Sequence, residues 1–412
     1  MTGTDAPFDV VFIGSGLGIY ALTRAFHERY GIVSTVVAIA APEPFARSIT
    51  CTVKDVPAGA DDAAWLSALT EVAGQRPAGR KALLLCNTDG DVEFIARNRE
   101  VLDQHYEIRI PTLESVQELS DKAEFARLCR ELEIDTPRTE VLEFRDGSLP
   151  AVDGLDLPYP VVAKPAVSTP HVNIRMAGKK KVYFISSADE LADLASRLHG
   201  AGFRDRFVVQ ELIPGDDTTM RSVTAYRDSH GEVTLLASAA VLLEEHTPDA
   251  LGRPAAMIST TFPDTLEQAR RILDATDYVG FANFDVKEDP RTGKQHFFEV
   301  NPRIGRNSYY VTGAGANVAE FVADDAIYGR RREPVVGIDE VLYTIVPKTL
   351  LMRYVLDPEK RKWVKRVARK RTVNPWLYRK EGAWMQFHGL AKAANHVRKF
   401  LKHYPKPTET GF

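Results

Sequence analysis

Residues 280–306 read GFANFDVKEDPRTGKQHFFEVNPRIGR. They divide into two short strands, one from Phe281 to Lys287 and one from Gln295 to Val300, around the turn Asp289-Pro290-Arg291-Thr292-Gly293. Proline and glycine favour a reversal there. Side chains two apart on a strand share a face, so Glu299 and Asn301 project together and a hairpin brings Asp285 beside them. Two carboxylates and an amide oxygen form a hard-oxygen set of the kind that holds magnesium on nucleotide phosphates. Arg303, two residues further on, is placed to meet an anion on that face. The stretch reads as a site for phosphoryl chemistry.

The bulk of the chain is consistent with an ordinary enzyme. Its 412 residues suffice for two or three packed domains. Hydrophobic content of 44% and charged content of 26% are those of a soluble globular protein. The net charge of -3 commits the whole chain to no polyanion, and nucleic acid is not an expected partner. Cys51, Cys86 and Cys129 lie far apart and form no CxxC, which argues against a disulfide framework or zinc site and for a reducing compartment. The N-terminus shows no secretory pattern, and the apolar run near Val233 to Leu243 is too short to span a bilayer. The expected location is cytoplasmic, with the inner membrane face as a variant.

Residues 8 to 118 alternate strand and helix, which predicts a small doubly wound α/β domain over 1–118. GSGLG (Gly14 to Gly18) turns the first strand into a helix from about Ile19 to Tyr30, and a second helix is expected from Asp91 to Gln104. Ser120 is read as the N-cap of a helix that runs to about Leu132. From there the alternation breaks down, which predicts an α+β region over 119–335 in two lobes, 136–212 and 213–335. Residues 336–412 are expected to be mainly helical and are basic: from 353 to 406, sixteen Lys or Arg face three acids.

Three further segments carry chemistry. Lys164 ends an apolar strand beside a loop with Ser168 and Thr169, and Lys122 lies in the first turn of its helix. Both positions can reach a phosphate, the first as a point charge and the second where backbone N–H groups also attract anions. The segment VVQELIPGDD, Val208 to Asp217, passes from an apolar strand into a turn with two aspartates. That order suits an adenine followed by a ribose, and equally a hairpin with an acidic turn. GSGLG begins like a dinucleotide fingerprint, but the third glycine of GxGxxG would fall on Ile19, and no acidic residue ends the second strand. A nicotinamide or flavin oxidoreductase is therefore the weaker reading, and it leaves Asp285, Glu299 and Asn301 unexplained. A tight turn, with room for a small substrate at the helix N-terminus, explains GSGLG better.

In this order, Asp-Lys on a helix, strand-Lys-Pro, strand-Gln-Glu-hinge, strand-Asp and Glu-x-Asn-Pro-Arg resemble the ATP-grasp ligases over Ser120 to Arg306. VVQELIPGDDTTMR, LLEEHTPDALG, FIGSGLGIYALTRAF and Val346-Pro347-Lys348 extend the likeness to the D-aspartate ligases of Gram-positive cell-wall synthesis, across nearly the whole chain. The resemblance implies an ATP-grasp fold behind a pre-ATP-grasp α/β domain. It implies that Lys122 and Lys164 bind ATP phosphates, that Gln210, Glu211 and the Ile213 backbone hold adenine, and that Asp217 holds ribose. Asp285, Glu299 and Asn301 would bind magnesium, usually two ions, with manganese as a substitute. Arg303 and Lys164 would act on the transferring phosphoryl group. The implied reaction activates a small amino-acid carboxylate, the β-carboxylate of D-aspartate, and joins it to an amine on a peptidoglycan precursor. One departure is the loop Ala166 to Gly178, which holds a single glycine where many such enzymes have several, and which leaves Lys181 without an assigned role.

Arg221, Arg253, Lys287 and Arg306 are candidates for the second carboxylate of an acidic amino acid, or for structural ion pairs. In the basic tail, Trp363, Val364, Val367 and Ala368 form one helical stripe, and Trp384, Phe387, Leu390, Ala394, Val397 and Leu401 another. Helices packed on the core explain both stripes. Contact with an anionic membrane surface is the sharper alternative.

Overall fold

The structure is a computed structural model and describes residues 7–40, 43–167, 171, 174–248 and 250–408. Four parallel strands, β1 (Asp9–Ile13), β2 (Ser34–Ile39), β3 (Cys51–Val56) and β4 (Ala82–Leu85), form the first sheet in the order β3-β2-β1-β4. Their residues are almost wholly apolar at the centre, as a sheet covered on both faces requires. Helix Leu17–Tyr30 packs on one face in the main core, and Asp62–Gly74 and Asp89–Arg97 pack on the other. The order reverses between β1 and β4. The turns after these two strands therefore flank the crevice where doubly wound sheets bind ligands.

The glycine turn is tightly built. Gly14 and Gly16 have φ of 101° and 92°. A Cβ on Gly18 would lie 2.0 Å from Asn87 Oδ1, so only glycine lets the first helix approach the β4 turn. The helix expected from Asp91 to Gln104 is two helices, Asp89–Arg97 and Arg99–Leu102, because Asn98 leaves helical geometry and its Nδ2 donates to Phe94 O.

The second sheet is antiparallel: β5 (Thr139–Glu143), β6 (Val161–Pro165), β7 (Tyr183–Ile185) and β8 (Arg206–Glu211), ordered β5-β8-β6-β7. Helix Ala188–Gly200 covers it through Leu191, Leu194 and Leu198. Helix Lys122–Glu131 precedes the sheet. Its N-cap is Asp121 and not Ser120, which closes the preceding helix Leu113–Ser120. Asp121 Oδ1 accepts from the N–H groups of Ala123 and Glu124, and Oδ2 pairs with Arg206 at 2.5 Å. Aspartate wins the cap because its two oxygens serve the helix end and a cation together.

The large sheet contains β9 (Met220–Arg227), β10 (Val233–Glu245), β11 (Arg253–Ser259), β12 (Gly280–Glu288), β13 (Gln295–Asn301), β14 (Val335–Val336), β15 (Leu342–Thr344) and β16 (Thr372–Val373). Its order is β13-β12-β9-β10-β11-β15-β16, with β14 beside β10. β12 begins at Gly280, whose added Cβ would lie 2.3 Å from Arg109 O. The residues after 336 are thus woven into this sheet through β15 and β16.

The last two long helices pack unequally. Pro358–Lys370 buries Val364 and Val367, and Trp363 Nε1 donates to Glu340 at 2.7 Å. Ala383–His403 buries Met385, Gly389 and Phe400. The stripe expected to face the core is divided: Val397 packs against the core, whereas Phe387 is 70% and Leu390 58% exposed. The cause lies at Gly389, where a Cβ would meet Leu377 at 2.8 Å and Trp376 O at 3.1 Å. Close approach at this glycine sets the face, against the pull of the longer apolar stripe.

Candidate functional site

β12 and β13 form the antiparallel hairpin, with Asp285 opposite Glu299 and Asn283 opposite Asn301. A register shift between Asp285 and Val286 marks a bulge beside the site. Asp285 is pushed up to about 7 by burial and by Glu299 next to it. Burial also opposes ionisation of Glu299, yet Lys122, Lys164 and Lys181 together hold its carboxyl well below the usual range. Lys122 Nζ lies 3.3 Å from Glu299 Oε2. Burial lowers Lys164 to about 8; Glu299 opposes that shift, and Lys122 and Lys181 add to it. Lys164 also sits 5.6 Å over the Phe298 ring.

These groups fit a divalent cation. Two carboxylates face each other while sharing too little positive charge for both to ionise freely, which Asp285 registers. Among the described residues no group of three or more His, Cys, Asp or Glu is gathered for a metal. A cation here would therefore rest on two carboxylates and an amide, as magnesium does when substrate phosphates complete its shell. Asn301 Nδ2 points to Asp285 at 3.4 Å, while its Oδ1 accepts from Arg303 Nη2 at 2.9 Å. To serve as a ligand the amide must turn over, which releases Arg303. Arg303 Nε also donates to Asp89 at 2.9 Å, linking the hairpin to the first domain.

Three cavities meet at the hairpin. The first, about 180 Å³, lies between the second and large sheets and is lined by Val162, Phe184, Ile213, Met220 and Phe298. Gln210, Glu211, Asp217 and Lys164 also line it. It is an apolar slot with polar groups at its rim. Gln210 Nε2 donates to Thr139 Oγ1 at 2.9 Å, and Glu211 accepts from the Arg138 backbone N–H at 3.0 Å. Asp217 Oδ2 already accepts from the Glu244 N–H and faces His246 Nε2, both at 2.9 Å. The second cavity, about 710 Å³, holds Lys122, Lys181, Asn283, Asp285, Glu299, Asn301, Arg303 and Arg306. The third, about 460 Å³, runs from there under the glycine turn.

All ten residues singled out from the sequence therefore line the first two cavities. Ser168 and Thr169 lie outside the described residues. Of the four candidate cations, Arg253 and Arg306 line the second cavity. Arg221 does not: it pairs with Glu288 and lies 3.8 Å over the Phe262 ring. Lys287 is in the slot, donating to Gly215 O at 2.8 Å. Sequence reasoning missed Asn283, whose Nδ2 reaches Asp285 at 3.5 Å, although the two-residue period that found Asn301 also marks it. It also missed Glu244, which burial and Asp217 push well above the usual carboxylate range. Asp89 carried no local signal, since only tertiary folding brings it to Arg303.

Comparison with known proteins follows the same lines. Residues 121–319 match the family model described as carbamoyl-phosphate synthase L chain, ATP binding domain. A D-aspartate ligase of Enterococcus faecium (strain Aus0004) is 27% identical, over 96% of this chain and 97% of its own length. Among solved structures, N5-carboxyaminoimidazole ribonucleotide synthetase in its ADP complex aligns with TM-score 0.60 and 15% identity, over 96% of this chain and 98% of the other. The L-amino acid ligase from Bacillus licheniformis aligns with TM-score 0.56 and 15% identity, over 79% and 75%. At these identities the structural likeness speaks for a shared fold.

Proposed function

Starting from a chain that belongs to the ATP-grasp carboxylate–amine ligases, we propose that it activates the β-carboxylate of D-aspartate and joins it to an amine of a peptidoglycan precursor. The observation that carries the reading is the meeting, at the Asp285–Glu299 pair, of an apolar slot lined by Ile213 and Phe298 and a larger cavity that holds Lys122, Lys181, Arg303 and Arg306. The length-wide relationship to a D-aspartate ligase supports the choice of acid.

A carboxylate is a poor acyl donor because oxide would have to leave. In the proposed reaction a carboxylate oxygen attacks the γ-phosphorus of ATP, and ADP departs with the electrons of the broken P–O bond. The amine nitrogen then attacks the acyl carbon, phosphate leaves, and the amine proton passes to solvent. Positioning and charge neutralisation dominate such chemistry. Adenine lies in the slot against Ile213 and Phe298, its edge towards Gln210 and Glu211, with Asp217 at the ribose. Lys122 and Lys164 hold the phosphates. Asp285, Glu299 and Asn301 would hold magnesium, as two ions or with manganese in its place, and the metal would supply positive charge against those phosphates. Arg303, freed from Asn301, faces the anion that develops during transfer.

A phosphate-release screen of D- and L-amino acids with ATP and magnesium, with and without a peptidoglycan precursor, tests the reading. D-aspartate with the precursor should give the fastest release; preference for an L-amino acid would replace the substrate assignment.

Among the described residues no helix is long and apolar enough to cross a membrane. We further propose a peripheral site at an anionic membrane surface for the outward stripe of Ala383–His403, where Phe387, Leu390 and Leu401 are flanked by Arg398 and Lys402. Replacing Phe387 and Leu390 by Ser should abolish co-sedimentation with anionic vesicles; unchanged sedimentation contradicts the contact.

A further inference from the structure

The third cavity joins parts of the chain that no motif connects. Ser15, Gly16, Leu17 and Gly18 line it from the turn after β1, and Asn87, Thr88 and Asp89 from the turn after β4. It therefore occupies the switch point of the first sheet, at the carboxyl ends of the strands, where such sheets take ligands. Arg303 and Arg306 enter from the hairpin side and are shared with the cavity of Asp285 and Glu299. The opposite wall comes from the C-terminal region: Trp376, Lys392, His396 and Lys399.

The charges in this space do not balance. Five Lys or Arg side chains line it (Arg253, Arg303, Arg306, Lys392, Lys399) against the carboxylates of Asp89 and Glu245. Both carboxylates are already taken, Asp89 by Arg303 at 2.9 Å and Glu245 by Arg306 at 2.7 Å. Among the described residues no carboxylate pairs with Lys392 or Lys399. Helix Leu17–Tyr30 adds its positive end, and its Gly16 N-cap has no side-chain hydrogen bond to occupy it. The Glu245 ion pair also fixes Arg306, so the guanidinium is held in place before any ligand arrives.

We propose that the C-terminal helix completes the substrate site: Lys392 and Lys399, with Arg306 behind them, hold the carboxylate of the amino acid that is not activated. This rests on the proposed use of an acidic amino acid. It deepens that reading by assigning substrate selection to a helix more than eighty residues beyond the metal hairpin, and by giving the glycine turn a task other than dinucleotide binding. The reacting carboxylate points towards Arg303 and the hairpin, and the second one towards the lysines. A monocarboxylate lacks the second contact, so the lysines select for dicarboxylates.

The test compares wild type with Lys392→Ala/Lys399→Ala, using full-length protein, ATP, magnesium and hydroxylamine as the amine acceptor. Aspartate and 3-aminopropionate, which keeps the amine and the reacting carboxylate but lacks the second, are each titrated. We expect the KM for aspartate to rise at least about tenfold in the variant, since charge-assisted contacts are lost. The KM for ATP and for 3-aminopropionate and the melting temperature should stay unchanged. Lys399→Glu should raise the aspartate KM further. An unchanged aspartate KM, or an equal rise for both acids, overturns the assignment. If wild type neither binds nor turns over aspartate while using another acid, the acidic-substrate reading has failed and this inference falls with it.

Discussion

Glu299 is a half-buried carboxylate that three lysines hold towards the ionised form, and Asp285 opposite it is a carboxylate that burial pushes towards neutrality. The difference arises from position. Both side chains project to one face of the hairpin, but Glu299 has Lys122 Nζ at 3.3 Å with Lys164 and Lys181 beside it, whereas burial and Glu299 itself dominate at Asp285. Such a pair is poised to take up cationic charge without rearranging the backbone. Glu299→Gln should therefore lower kcat at least about a hundredfold in a phosphate-release assay, with the melting temperature retained, as removal of one preorganised group does. Arg303→Ala should do the same, and normal turnover in either variant would remove these residues from the reacting centre. Asp285, Glu299 and Asn301 were legible because a two-residue period and a Pro/Gly turn suffice to gather them. Asp89 and Glu244 were not: Asp89 depends on how the first sheet docks on the large one, and Glu244 on the strand order β12-β9-β10 within the large sheet.

At the scale of elements, the junction of the two helices around Ser120 and Asp121 shows where local rules run out. Both residues are good N-caps, and the sequence offers no means of choosing. Arg206, on a strand more than eighty residues later, decides the matter by pairing with Asp121 and Glu124. Asp121→Ala should cost about 1–3 kcal/mol in equilibrium denaturation, combining a lost cap with an unpaired guanidinium, whereas Ser120→Ala should change stability by less than about 0.5 kcal/mol. Equal effects would contradict the assignment of the cap. The last helix gives the same lesson differently. Phe387, Leu390 and Leu401 of its apolar stripe are exposed, while Gly389 makes a close contact with Leu377 and Trp376 on the other side. Periodicity identifies the helix, and packing chooses its face.

Across the whole molecule, the C-terminal region closes onto the first domain. Arg24 Nη1 donates to Asn374 O and Pro375 O, and Tyr20 stacks on Trp376 with centroids 4.7 Å apart. Buried Glu381 accepts from Tyr20 OH, Ser48 Oγ and the Ile49 N–H. Glu381→Ala should cost about 1–3 kcal/mol by leaving those donors unsatisfied and should speed proteolysis between residues 374 and 408; an unchanged cleavage rate would mean that the contact does not hold the tail. The three sheets and the tail thus border neighbouring cavities, with an apolar slot at one end and a pocket lined by Arg303, Arg306, Lys392 and Lys399 at the other. The order of motifs made the fold and the hairpin readable, but the enclosure by the tail depends on contacts between residues more than three hundred apart. The central claim is that these cavities activate a carboxylate as an acyl-phosphate. It is tested most directly with D-aspartate labelled with ¹⁸O in both carboxylates, turned over with ATP, magnesium and hydroxylamine as a small amine. One ¹⁸O atom should appear in each released phosphate, carried from the carboxylate by the phosphoryl group; phosphate free of label would contradict acyl-phosphate formation.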